Sequence, residues 1–203
     1  MEKGIFIFLT AYSPRWNTIA SRRIESLAHY ISEYFETYII AGIPKSLEPS
    51  EIYRDYNIGS AKLIEVPSIL NKRKPTAKES TTKSSNHIWS FEKIRSYGKN
   101  EAFPFLEMFL PVSPGGMVYH DQKMFFDELE KIIIENYQKR KVCIFASYGP
   151  LFILKTAKSI KNKYPCIEFI ADFRDWAYKN QGGFFYYSHT YRLYIKSLLK
   201  KAD

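Results

Sequence analysis

The chain has 203 residues and a mass of 23.9 kDa, which is enough for one large domain with a sizeable core. Hydrophobic residues make up 45% of the chain and charged residues 25%, a balance that excludes global disorder, a collagen-like repeat and a coiled coil. No apolar run approaches the roughly 18 residues that cross a bilayer, and the first apolar stretch lacks the features of a signal peptide. We therefore expect a cytoplasmic protein.

The charged residues are unbalanced, with 30 basic against 21 acidic and a formal net charge of +9. Such an excess favours an anionic partner, which can be a nucleic acid, a phosphorylated ligand or a membrane surface, and charge alone does not choose among them. The two cysteines, Cys143 and Cys166, both lie among strand-forming residues. We interpret both as buried thiols, not as a disulfide or a metal site.

Strand and helix patterns alternate along the chain. The charge-free run at 4–9 predicts a strand that is buried on both faces. Apolar residues at helical spacing up to Phe35 predict an amphipathic helix that begins between Asn17 and Ser21. Further strands are predicted at 38–42, 61–66, 142–146 and 167–171, and further helices at 118–137, 151–160 and 184–201. This order predicts a single α/β domain over 1–203, a Rossmann-like layered domain with a mainly parallel sheet flanked by helices.

The middle of the chain breaks this pattern. Segment 71–87 holds five Lys or Arg, six Ser or Thr and a single apolar residue, so we predict a mobile basic surface loop. A short helix is predicted at 89–94, and the aromatic-rich segment 103–110 is expected to pack near the rim of the sheet. In the second half, one face of the predicted helix at 151–160 and the turn after it carries Lys155, Lys158 and Lys161.

Candidate chemistry follows three of the predicted strands, because ligands of an open parallel sheet bind beyond the carboxyl ends of its strands. The strand at 167–171 runs directly into Asp172, Phe173, Arg174, Asp175 and Trp176. Arg174 can grip a phosphate or a carboxylate with two hydrogen bonds, and Asp172 can accept hydrogen bonds from hydroxyls. The alternative is a loop staple, in which Arg174 pairs with an aspartate and Asp172 caps the next turn. The spacing leaves both interpretations open.

The other two strand ends carry polar and aromatic residues. Ser147, Tyr148 and Gly149 precede a predicted helix whose free amides can face an anion, although an ordinary strand-to-helix turn would look the same. The loop after the first strand carries Trp16, and the helix start carries the pair Arg22 and Arg23. This pair suits a phosphate but is also common on a solvated surface.

The motifs of several other classes of site are absent from the sequence, and one further candidate pair has a simpler explanation. No glycine lies between Gly4 and Gly42, which excludes a dinucleotide-binding fingerprint at the first loop. The sequence has no P-loop, no H-E-x-x-H, no paired C-x-x-C and no G-x-S-x-G. The pair His120 and Asp121 could form a base with its orienting partner, and a solvated pair at a helix start is the simpler alternative.

Three stretches resemble the N-terminal domain of GT-B glycosyltransferases of family 4, or group 1. Residues 19–31 are similar to the family's first helix, 145–150 resemble its S-x-x-P strand exit, and 170–176 resemble the ADFRDPW motif of one subgroup. The sequence departs from the family in two places. Asn17 and Thr18 stand where the family usually has glycines, and Trp176 follows Asp175 directly, without the proline.

The resemblance implies the acceptor-side domain of a two-domain enzyme, with the donor-binding C-terminal domain absent from this chain. The implied reaction moves a sugar from a nucleotide-sugar to a glycan or lipid-linked acceptor in cell-surface polysaccharide synthesis, and we expect this domain alone to be inactive. Beyond the nucleotide-sugar, which is a substrate, we expect no cofactor and no metal, because positioning and electrostatics can supply the catalysis. The implied catalytic residues are Asp172 and Arg174. The implied substrate-binding residues are Trp16, Arg22, Arg23, Ser147, Tyr148, Gly149 and Asp175.

Two other functions remain as alternatives. A non-catalytic nucleic-acid-binding module would use the same charge and aromatic residues, but most aromatics lie in apolar stripes, so we expect no nucleic-acid partner. A stand-alone α/β sugar-phosphate enzyme would need no second domain. The basic excess also suggests contact with an anionic membrane at its inner face, against the equal alternative of a solvated basic surface.

Overall fold

A computed structural model describes residues 2–16, 18–44, 54–68, 117–147, 151–173 and 189–203. The strands in this part of the chain are β1 (Ile5–Thr10), β2 (Glu36–Pro44), β3 (Lys62–Ser68), β4 (Val142–Ser147) and β5 (Glu168–Asp172). The helices are α1 (Ile19–Ile31), α2 (Met117–Asn136), α3 (Leu151–Lys163) and α4 (His189–Leu199). The predictions at 71–87, 89–94 and 103–110 lie outside the described residues.

The five strands form one all-parallel sheet in the order β3-β2-β1-β4-β5. This confirms the predicted α/β layered fold. From β1 the chain builds β2 and β3 towards one side, and β4 and β5 then extend the sheet towards the other side. The direction therefore reverses between β1 and β4, and loops that leave these two strands at their carboxyl ends diverge there.

Helices cover the sheet on both faces, which explains why β1 and β4 carry no charge. On one face Ile7 and Leu9 of β1 pack with α2 and α3, for example against Phe125 and Phe152. On the other face Phe8 packs with residues of α1 and β2. Side chains alternate between the two faces along a strand, so five of the six residues of β1 are buried and Phe6 is partly buried.

The predicted elements agree with the observed ones to within a few residues. Helix α1 begins after Thr18, whose Oγ1 accepts a hydrogen bond from the Ser21 amide at 3.1 Å, as the predicted capping region requires. Strand β5 includes Asp172 as its last residue, so this carboxylate belongs to the sheet and not to the loop that follows. The last helix spans His189–Leu199, and the predicted residues 184–188 lie outside the described part.

A charged cluster closes the sheet at its amino edge, opposite to the candidate site. Glu36 at the start of β2 accepts hydrogen bonds from the Tyr38 hydroxyl at 2.6 Å, from Lys62 at 2.9 Å and from Arg140 at 2.5 Å. The Tyr38 hydroxyl, Lys62 and Arg140 together lower the pKa of Glu36 to about 2. The cluster joins β2, β3 and the turn before β4, and it therefore stabilises the sheet.

The two cysteines differ, and the prediction that both are buried was wrong for one of them. Cys143 is buried in β4, where desolvation raises its pKa to about 12. Cys166 is exposed. It lies in the turn between α3 and β5, two residues before the strand begins, so the sheet does not cover it.

Two of the three lysines on the predicted basic face of α3, Lys155 and Lys161, make contacts inside the domain. Lys161 donates to the carbonyl of Ile167 and to the carboxylate of Asp203, each at 2.6 Å, and the Nζ of Lys155 lies 5.6 Å from the ring centre of Tyr194. They do not form a free basic stripe, so contact with an anionic membrane loses this support and stays a prediction. In the described part of the chain, no helix has the length and apolar character needed to cross a membrane.

Candidate functional site

A buried carboxylate lies at the carboxyl edge of the sheet, held by two neighbours. Asp172 ends β5 and pairs in register with Ser147, which ends β4. The Ser147 hydroxyl donates to Oδ2 of Asp172 at 3.1 Å, and Nη2 of Arg23 donates to Oδ1 at 2.8 Å. We call these three residues the Asp172 cluster. The two donors fix the carboxylate in one orientation.

The Asp172 cluster spans the point where the strand order reverses. Asp172 and Ser147 come from β5 and β4, whereas Arg23 comes from α1, which follows β1. The salt bridge therefore crosses from one half of the sheet to the other, beside the diverging ends of β1 and β4. Open parallel sheets bind their ligands at this position.

The two charged members of the cluster differ in exposure. The Asp172 side chain is only 9% exposed, whereas that of Arg23 is 42% exposed. A guanidinium carries five N–H donors, and the salt bridge to Asp172 uses one nitrogen. Arg23 can therefore hold Asp172 and at the same time present donors to an anionic or hydroxyl-bearing ligand at the surface.

Neither sequence interpretation of Asp172 named its observed partner, Arg23, which is 149 positions away in the chain. Arg174, Asp175, Tyr148 and Gly149 lie outside the described residues, so their predicted roles stay predictions.

Two predicted binding residues support the site from inside. Ser147 is 1% exposed, and its hydroxyl is bonded to Asp172, so it orients that carboxylate instead of meeting a ligand. Trp16 is 6% exposed and packs edge-on against Tyr12 at 5.6 Å, so its ring is not an open wall for a sugar. Arg22 is exposed on the first turn of α1, where a ligand at this edge can reach it.

A second carboxylate, which the sequence analysis missed, is that of Glu65 in the middle of β3, which is level in the sheet register with Thr10, the last residue of β1. Ser13 donates its hydroxyl to Oε1 of Glu65 at 2.7 Å, and Nη1 of Arg15 lies 3.4 Å from Oε2. Glu65 is the one acidic residue of the strand predicted at 61–66, and its position near the end of that strand was the available signal. Its partners both come from residues 11–16, which we call the first connection.

The first connection is also held from the segment before β3. The Arg54 amide donates to the carbonyl of Arg15 at 3.0 Å, and its Nε donates to the carbonyl of Trp16 at 3.3 Å. The Arg54 guanidinium also pairs with Glu25 of α1, which accepts a hydrogen bond from the Asn57 amide. Burial raises the pKa of Glu25, but the bonds from Arg54 and Asn57 outweigh it, and the net pKa is lowered. The connection and α1 are thus joined through Arg54.

The residues at this edge favour hydroxyl and anion binding. In the described ranges, no three His, Cys, Asp or Glu side chains group as metal ligands would. No protein-family model matches the chain, and the search of curated proteins finds no match. The basis for a function is therefore the fold, the Asp172 cluster and the three motifs.

Proposed function

We propose that this chain is the acceptor-side domain of a GT-B glycosyltransferase of family 4, or group 1. In this proposal the whole enzyme moves a sugar from a nucleotide-sugar to a glycan or lipid-linked acceptor during cell-surface polysaccharide synthesis. The observation that supports it best is the Asp172 cluster at the reversal point of the parallel sheet. The three motif resemblances supply the reaction class.

The chemistry of the cluster suits the positioning of a sugar. Because Ser147 and Arg23 hold the Asp172 carboxylate, it can accept a hydrogen bond from an acceptor hydroxyl without first reorganising. The exposed part of Arg23, with Arg22 next to it, can stabilise the negative charge that develops on a departing diphosphate. In the proposal Arg174 adds to this cationic set.

The nucleic-acid alternative has less support in the described residues. Basic side chains such as Arg54, Lys62 and Arg140 pair with carboxylates of the domain itself. The aromatic residues Phe8 and Phe145 pack against each other at 5.4 Å within the sheet layer. A single-strand binder needs aromatic and basic residues side by side on an open surface.

The stand-alone sugar-phosphate enzyme uses the same edge of the sheet, and its activity separates it from our proposal. It would act on sugar phosphates with these 203 residues alone, whereas a glycosyltransferase domain needs its donor-binding partner domain. Turnover of sugar phosphates by the 203-residue chain would favour the alternative.

The test is glycosyl transfer by the full-length protein, supplied with radiolabelled nucleotide-sugars and lipid-linked or oligosaccharide acceptors. We expect transfer from at least one donor, and a loss of about 100-fold or more in kcat/KM for Asp172→Asn, the size expected when a substrate-positioning group is removed. Arg174→Ala and Arg23→Ala should each lower the rate as well. Asp127→Asn is the matched control, because it removes a carboxylate from an exposed ion pair on α2, away from the site. An unchanged rate in Asp172→Asn would exclude the proposed site.

A further inference from the structure

The first connection and α1 are tied to both outer strands of the sheet. Ser13 and Arg15 bind Glu65 of β3, and Arg23 binds Asp172 of β5. In the order β3-β2-β1-β4-β5 these two strands are four spacings apart, or about 19 Å. Side chains from the first connection and from the start of α1 thus reach carboxylates on both outer strands.

We propose that Glu65 is a positioning residue, which holds the first connection so that α1 presents Arg23 to Asp172 and to the ligand. The ligand part of this inference rests on the proposed function, whereas the part that concerns the conformation of the connection does not. Glu65 acts through Ser13 and Arg15 and makes no contact with the Asp172 cluster among the described residues.

The contacts of Glu65 are matched to this role. The Ser13 side chain is fully buried, and its hydroxyl donates to Glu65 while it also accepts the Arg15 amide at 3.3 Å. The Ser13 carbonyl in turn accepts the Trp16 amide at 3.0 Å. The Glu65 carboxylate therefore holds Ser13, and Ser13 accepts the two backbone hydrogen bonds that form the turn of the first connection.

Arg54 links the first connection to α1. It binds the carbonyls of Arg15 and Trp16 on one side and Glu25 of α1 on the other side. Since Glu25 lies on α1 two residues after Arg23, a displaced connection would displace the first turns of the helix that carries Arg23. The structure thus contains a continuous set of contacts from Glu65 to Arg23.

The ion pair between Arg15 and Glu65 contributes little to the stability of the domain. Its atoms are 3.4 Å apart, and the Arg15 side chain is 38% exposed, so water screens the interaction. A residue that merely stabilised the fold would change the melting temperature. A positioning residue instead changes the hydrogen exchange of nearby backbone amides and the affinity for the ligand, while the melting temperature changes little.

The first measurement is hydrogen exchange by mass spectrometry on Glu65→Gln, without any ligand. Peptides that cover residues 11–23 should exchange faster than in the wild type, whereas peptides from α2 and α3 should not change. The matched control is Glu130→Gln, which removes a carboxylate of similar exposure from its pair with Lys163. Equal exchange of residues 11–23 in Glu65→Gln and Glu130→Gln would overturn the inference.

The second measurement is the KM of the full-length protein for its nucleotide-sugar and acceptor. The substrates are those that support transfer in the assay described above. For Glu65→Gln we expect KM to rise about tenfold, with a smaller change in kcat and a melting temperature near that of the wild type. If Glu65→Gln does not fold, Ser13→Ala decides, because it removes the donor to Glu65 and keeps the carboxylate. It should raise exchange in residues 11–23, and wild-type exchange would overturn the inference.

The two proposals fail in different ways. If the exchange result is as expected but neither Asp172→Asn nor Arg23→Ala changes transfer, the proposed function fails and the conformational role of Glu65 stands. If those two variants lose activity and Glu65→Gln keeps both wild-type exchange and wild-type KM, the inference about Glu65 fails and the proposed function stands.

Discussion

Arg23 and Asp172 are 149 positions apart in the chain, yet Nη2 of one meets Oδ1 of the other at 2.8 Å. The pair joins the first helix to the last described strand at the carboxyl edge of the sheet. Because Asp172 is buried and Arg23 is half exposed, the pair combines a fixed acceptor with an accessible cation.

We expect the two side chains to be energetically coupled by about 1 kcal/mol, because half of the pair is open to water. The measurement is a double-mutant cycle of Arg23→Ala and Asp172→Asn, followed by urea unfolding at neutral pH. The same cycle with Arg23→Ala and Asp127→Asn should give additive changes in the free energy of unfolding, since those residues share no contact among the described ones. Additivity in the first cycle as well would show that the salt bridge is not formed in solution.

Loss of the Asp172 carboxylate should cost more than loss of Arg23, because it removes two hydrogen bonds, one of them from the buried Ser147 hydroxyl. We expect Asp172→Ala to lower the free energy of unfolding by about 1–3 kcal/mol more than Arg23→Ala does. Adding Ser147→Ala to Asp172→Ala should recover part of this loss. No recovery in the double variant would contradict the assigned hydrogen bond.

The Glu36 cluster should make stability depend on acid pH. The pKa of Glu36 is about 2 in the folded protein and close to its ordinary 4.5 in the unfolded chain. A lowered pKa means that its contribution is fully present above pH 4.5 and is lost as pH falls towards 2. Urea unfolding between pH 6 and pH 2.5 should therefore show a smaller acid-dependent loss in Glu36→Gln than in the wild type.

At neutral pH we expect Glu36→Gln to cost about 1–2 kcal/mol, less than the full pKa shift implies, because the partner Lys62 is largely exposed and screened. Glu135→Gln is the control, since Glu135 is exposed on α2. An identical acid dependence in both variants and in the wild type would rule out the cluster as its source.

The two cysteines should react very differently with a thiol reagent. At pH 8 the exposed Cys166 should react rapidly, whereas Cys143 is buried and its pKa is raised to about 12, so it should react only when the protein unfolds. The measurement is Ellman's assay with and without urea, with Cys166→Ser to assign the fast phase. Two fast thiols in the native protein would show that β4 is accessible.

The cap of α1 should have a measurable effect on stability. Thr18→Ala removes the acceptor of the Ser21 amide and should destabilise the domain by about 1 kcal/mol, whereas Thr18→Ser should keep most of the stability. Thermal unfolding followed by circular dichroism measures both. Equal destabilisation by serine and by alanine would point to packing of the threonine methyl group instead of the cap.

Much of the fold could be predicted because its signals are local. The charge-free run of β1 and the helical spacing after it indicate buried strand and amphipathic helix wherever they occur. The start of α1 between Asn17 and Ser21 and the polar end of β5 were predicted in the same way. Cys166 shows the limit of such signals, since strand-forming neighbours do not reveal that a residue lies in the turn before the strand.

The site was predicted less completely, because its contacts join distant parts of the chain. Local spacing suggested Arg174 as the partner of an aspartate, and nothing near Asp172 in the sequence pointed to Arg23. Glu65 was missed for the same reason, since its partners Ser13 and Arg15 lie about fifty residues earlier. Trp16 was predicted to face a ligand, but whether an aromatic ring is buried depends on the elements that pack around it.

The amino-acid sequence by itself determined the α/β class, the alternation of elements and the positions at which strands end in polar residues, because hydrophobic periodicity and capping act over a few residues. The tertiary structure decided the order β3-β2-β1-β4-β5 and with it which strand ends become neighbours. Only that order brings Arg23 to Asp172 and Ser13 to Glu65. Strand pairing is chosen by the packing of the whole sheet, so charges that are remote in the chain acquire their partners when the sheet assembles.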